Sequence, residues 1–128
     1  MFRDARGLVG KVIYTCGLHT QLLRVIYMLF LQISKHTAES CPMHNEKVRK
    51  ISEDLYNKSD KINKKYGIKV VGMWTSMPDH TMIAVFDAPS MEALLKQSME
   101  PEIMAWMGYN TIETKPIMAI DEAMKLMK

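Results

Sequence analysis

Apolar positions along the chain change period several times, and each change marks an element. The run Met28-Leu-Phe-Leu-Gln-Ile-Ser34 has the length and apolar content of a strand and leads into polar loop residues, so it predicts a first strand. Val48, Ile51, Leu55 and Ile62 then recur at helical spacing through a Lys- and Glu-rich stretch. They predict a first helix that begins near Pro42 or Asn45 and stops at Tyr66-Gly67, where glycine supplies the end. Ile68 to Thr75 and Thr81 to Asp87 are apolar, β-branched-rich runs around Ser76-Met77-Pro78-Asp79-His80, which reads as a hairpin between strands two and three. Ser90 offers a capping hydroxyl to a second helix that Pro101 breaks in two, the second piece ending at Gly108. Asn110 to Ile120 reads as strand four, and Asp121 as the cap of a short last helix running through Met127.

The resulting order, βαββαβ, predicts an α+β ferredoxin-like domain: a four-stranded antiparallel sheet in the order 4-1-3-2 with both helices on one face. Pro116 agrees, because a residue that cannot donate to a ladder belongs on an edge strand, and strand four is an edge in this order. The strands lack the clean alternation of a sheet with one wet face. Leu29, Leu31 and Ile33 oppose Met28 and Phe30, while Ile83 and Val85 oppose Met82, Ala84 and Phe86. Two helices cover one face only, so the other apolar face predicts a second copy packed sheet to sheet, a homodimer or higher even oligomer. A charge placed at Phe30 or Phe86 is expected to damage that association.

The patterned body begins abruptly at Met28. Residues 28–128 are therefore read as the domain and residues 1–27 as an N-terminal extension: an upstream-start segment, or an added helix or strand in which Leu18, Leu22, Leu23 and Ile26 share a face. Charge divides at the same point. The first 27 residues carry the whole net charge of +3, while the remainder holds 13 basic and 13 acidic side chains. A neutral body without a basic stripe argues against nucleic acid as a partner. No run approaches the roughly 20 uncharged apolar residues of a membrane span, so no membrane association is expected. With only Cys16 and Cys41 in 128 residues, a disulfide framework is not expected, and a reducing cytoplasm fits best.

From about Met28 onward the chain resembles the dimeric α/β-barrel superfamily, and most closely its small GYD-type members. The resemblance is carried by His80-Thr81-Met82-Ile83-Ala84-Val85-Phe86-Asp87-Ala88-Pro89 leading into Ser90 to Leu95, and by the closing Lys115-Pro116-Ile117-Met118-Ala119-Ile120-Asp121-Glu122-Ala123. The Gly-Tyr-Asp triplet itself is absent, with His80 and Thr81 where Tyr and Asp would stand. What the resemblance implies is the fold and a dimer. The superfamily spans cofactor-free monooxygenases, haem-degrading enzymes, lactone isomerases and ligand-sensing domains, so it does not select an activity.

Topology gathers the reactive residues at one sheet edge. Strand one exits there into the loop bearing His36, Cys41 and His44, the hairpin tip with His80 lies there, and helix two ends there with Trp106 and Tyr109. Three imidazoles and a thiolate could hold a transition metal such as zinc, or three of them could leave a position open for water or substrate. If the helix begins by Pro42, Cys41 and His44 face the same way across its first turn. Cys41 near a helix start also suits a thiolate nucleophile with His80 as general base, against the plainer reading of a buried inert thiol. Trp74, Trp106 and Tyr109 are candidates to line an apolar small-molecule pocket, and the two tryptophans serve equally as core or interface residues. Two functions follow: a small-molecule-binding homodimer with an enzymatic His/Cys rim, or a non-catalytic ligand-sensing or assembly module.

Overall fold

A computed structural model describes residues 28–128. The expected extension at residues 1–27, with Cys16, lies outside the described residues. Four strands and four helices follow in the order β1 (Met28–Lys35), α1 (Glu46–Lys65), β2 (Lys69–Ser76), β3 (Thr81–Ala88), α2 (Met91–Ser98), α3 (Pro101–Met107), β4 (Thr111–Ile117) and α4 (Ile120–Leu126). All strand pairs are antiparallel, and the sheet order is β2-β3-β1-β4, which is 4-1-3-2 read from the other edge. Pro116 lies on the edge strand β4 opposite Phe30. No helix among the described residues is long and apolar enough to cross a membrane.

Local signals place the helix ends. The Asn45 side-chain oxygen accepts a hydrogen bond from the Val48 N–H at 3.1 Å, and the Ser90 hydroxyl accepts from the Ala93 N–H at 3.1 Å. Both use a side chain to satisfy a helix donor that has no intrahelical partner. Pro101 occupies the first turn of α3, where a missing N–H costs nothing. The last helix differs from expectation, since Ala119 stands at its N-cap and Asp121 falls inside its first turn, where the carboxylate complements the dipole rather than capping it. Gly67 ends the α1 turn at φ 69°, a left-handed conformation that glycine adopts without steric cost.

The helix-facing side of the sheet packs Phe30, Ala84, Phe86 and Ala88 against Ile68 and Leu94. Phe30 and Phe86 therefore belong to the core under the helices and not to a partner-facing surface. Alternation fixes which residues share a face but not which face the helices cover. The opposite face carries a second cluster made only of strand residues, with Leu29 and Val85 buried and Leu31, Val71, Trp74 and Ile117 packed around them. A bulge in β2 places Trp74 there. Val70 pairs with Phe86 but Gly72 pairs with Val85, so one extra residue reverses the alternation and turns Trp74 away from the helices. The indole lies across Gly72, where it leaves no room for a Cβ.

The helix layer is tied together at its lower end. The Tyr66 hydroxyl and Lys65 ammonium both donate to Glu100 Oε1, at 2.7 and 2.8 Å, joining the end of α1 to the α2–α3 junction. Those bonds, the lysine's first and then the tyrosine's, hold the Glu100 carboxyl below its usual range. Gln97 Nε2 donates to Asn63 Oδ1 within the buried α1–α2 contact.

Candidate metal centre and groove

The loop after β1 is folded by its own hydrogen bonds into a platform for Cys41. The Ser40 N–H donates to both the Thr37 carbonyl and hydroxyl at 3.2 Å, and the Cys41 N–H donates to Ala38 O at 3.3 Å. The His44 and Asn45 N–H groups converge on Cys41 O at 3.0 and 2.8 Å. Asn45 works twice, capping α1 through its oxygen and donating Nδ2 to Glu39 O at 3.1 Å. Asn45→Ala should therefore cost about 1–2 kcal/mol of stability by denaturant titration, the upper end reflecting loss of the loop bond with the cap. A cost below a few tenths would deny Asn45 this double role.

His36 directly follows β1, and its N–H donates to the carbonyl of His80 at 3.1 Å, so one backbone bond extends the β1–β3 ladder and brings both histidines together. Their rings meet edge to face, with centroids 5.1 Å apart. His80 takes φ 51°, the left-handed region in which a non-glycine residue is uncommon though histidine is tolerated. Glycine would fit that turn at less cost, so the imidazole is held there against local backbone preference.

One ligand atom each from His36, Cys41 and His80 lies within 4.8 Å of the other two. Around a tetrahedral metal with bonds of 2.0–2.3 Å such donors stand about 3.5 Å apart, so side-chain rotations closing the set by about 1 Å complete a three-donor site. The chemistry suits it. Cys41 is buried and free of any disulfide, and His36 Nε2 is buried with no hydrogen-bond partner among the described residues. Burial, and then the neighbouring His80, lowers the His36 pKa, keeping its imidazole in the neutral form that binds metals. His44 does not join them. Helix α1 begins at Glu46 rather than at Pro42, so residues 41–44 form a turn that leaves His44 exposed and outside the group.

Beside this centre a groove of about 1100 Å³ opens between the helices and the sheet, just above the roughly 300–1,000 Å³ range of small-molecule sites. His36, Cys41, His80 and Trp106 line it, with Leu55 above and Phe86 below. Trp74 does not, since the β2 bulge sends it to the other face, and Tyr109 is half-buried outside the lining. Sequence reasoning missed Ser52, whose buried hydroxyl faces the groove without a partner among the described residues. Its signal was the helical register, one turn beyond Val48 on the inward side of α1.

No curated protein matches the chain. The profile of DUF3303, a domain of unknown function, matches residues 28–128, the whole of the described fold. The chain belongs to the DUF3303 family.

Proposed function

We propose that this domain is a small-molecule-binding protein that carries a zinc-class metal centre, His36–Cys41–His80, in the wall of its binding groove. The observation that carries the reading is the convergence of two imidazoles and a thiol, from the β1 exit, the α1 turn and the β2–β3 hairpin, within 4.8 Å beside that groove. Three protein donors leave a fourth position for water or a ligand group, the arrangement of reactive rather than purely structural zinc sites. A water bound there would acidify toward neutrality, giving the site a hydrolytic or ligand-polarising capacity. A free buried thiol suits the reducing cytoplasm. Cobalt titration of untagged full-length protein tests it: one equivalent with a thiolate-to-metal absorption band is expected, and its absence would sink the metal reading.

Assembly as a homodimer of the dimeric α/β-barrel kind, close to GYD-type domains, rests on a different observation. The sheet face away from the helices is a strand-only apolar cluster, Ile83 on the same face opposite Trp74 is 37% exposed, and Ile120, Met124 and Leu126 of α4 are exposed as well. A second copy supplies the cover that such a surface calls for. Light scattering at micromolar concentration should give a dimer, reduced to monomer by Ile83→Asp because a buried unpaired charge costs several kcal/mol. A wild-type monomer would overturn this part of the account. If the dimer forms but the metal fails to bind, an assembly or ligand-sensing module without catalysis becomes the better reading.

A further inference from the structure

We infer that the groove takes a long-chain fatty acid, its tail running down toward the core and its carboxylate held beside His36 and Ser52. The inference rests on the proposed metal centre for the position of the head group, and on the groove itself for the tail. Val48 and Ile62 both line the groove, and at 1.5 Å per helical residue they set its length at roughly 20 Å. Its polarity is graded along that length. At the end where β1 exits lie the two imidazoles, the thiol and the Asn110 amide, and Ser52 follows in the second turn of α1. At the other end the walls are Ile62, Val70, Phe86 and Leu94, and the polar groups there are already spent, the amides of Asn63 and Gln97 on each other and the hydroxyls of Ser59 and Ser98 on the carbonyls of Tyr56 and Leu95.

Ser52 Oγ on this lining is buried without a partner among the described residues, and the metal centre that takes up His36 leaves one coordination position open beside it. A buried polar group left unpaired is costly, so a ligand that brings hydrogen-bonding oxygens to that end and only apolar surface to the other matches both demands. A single-headed amphiphile does so, and a carboxylate can in addition occupy the open metal position. Methionines 73, 82 and 107 along the walls add the soft, adjustable surface that follows a flexible chain.

Calorimetric titration of the full-length protein with palmitate, with hexadecanol and with octanoate tests this. Palmitate is expected to bind one per chain, with hexadecanol at least about tenfold weaker for want of the charged head and octanoate weaker for want of buried chain. Leu55→Trp should fill the groove and abolish palmitate binding, and Ser52→Ala should weaken it about tenfold while leaving the fold intact by circular dichroism. Absence of saturable palmitate binding, or equal binding of palmitate and hexadecanol together with an unaffected Ser52→Ala, would overturn the inference. Cobalt titration of the same protein without lipid keeps the two readings apart: lost cobalt binding counts against the metal centre, whereas the palmitate isotherm alone judges the ligand.

Discussion

Replacing Cys41 by serine is expected to abolish stoichiometric cobalt or zinc binding, with an affinity loss exceeding the roughly 10–100-fold that follows removal of outer-shell partners. The thiolate is the softest and only anionic donor of the three, and a serine hydroxyl at neutral pH replaces neither property. His80→Gly should also lose the metal while leaving the protein no less stable, because it relieves the left-handed backbone at φ 51°. His44→Ala should bind as the unaltered protein does, since His44 stands outside the group. Calorimetric metal titrations read all three, since the thiolate band disappears with the thiol itself, and a Cys41→Ser protein binding as before would remove the thiol from the site.

Truncating Phe30 to alanine should cost about 3–5 kcal/mol of unfolding free energy, the usual range for a large aromatic removed from a packed core. Phe30 is 1% exposed in the centre of β1, packed with Phe86 and Leu94 beneath the helices. The measurement is urea denaturation of both proteins with matched slopes. A cost below about 1 kcal/mol would mean that the open groove lets the neighbourhood collapse around the missing ring. The contrast with Ile83→Asp is informative, because one change acts on the core under the helices and the other on the opposite face of the same sheet.

The architecture was legible in sequence because it depends on element order and a few strong signals. Pro116 marks the edge, Asn45 and Ser90 start helices, and Pro101 divides one. The site was legible in part for the same reason: chain ends of adjacent elements must meet at a common sheet edge, which brought His36, Cys41 and His80 together. The errors came from local features. Of the two helix starts the sequence offered, Asn45 caps the helix and Pro42 does not, which leaves His44 in the preceding turn and outward, and the single extra residue at the β2 bulge moved Trp74 to the other face. Gly72 carried the latter signal, since an isolated glycine inside a strand often marks a bulge or a close approach, here the Trp74 ring. The side assigned to Phe30 and Phe86 was beyond the pattern, as β3 buries five consecutive residues from Ala84 to Ala88 and is exposed only at Ile83.

X-ray absorption at the zinc edge on metal-loaded, untagged full-length protein tests the central claim most directly. The account predicts one sulfur at about 2.3 Å and two imidazole nitrogens at about 2.0–2.1 Å, with a fourth light-atom ligand. A shell of nitrogen and oxygen without sulfur, or protein that retains no stoichiometric zinc, would contradict it.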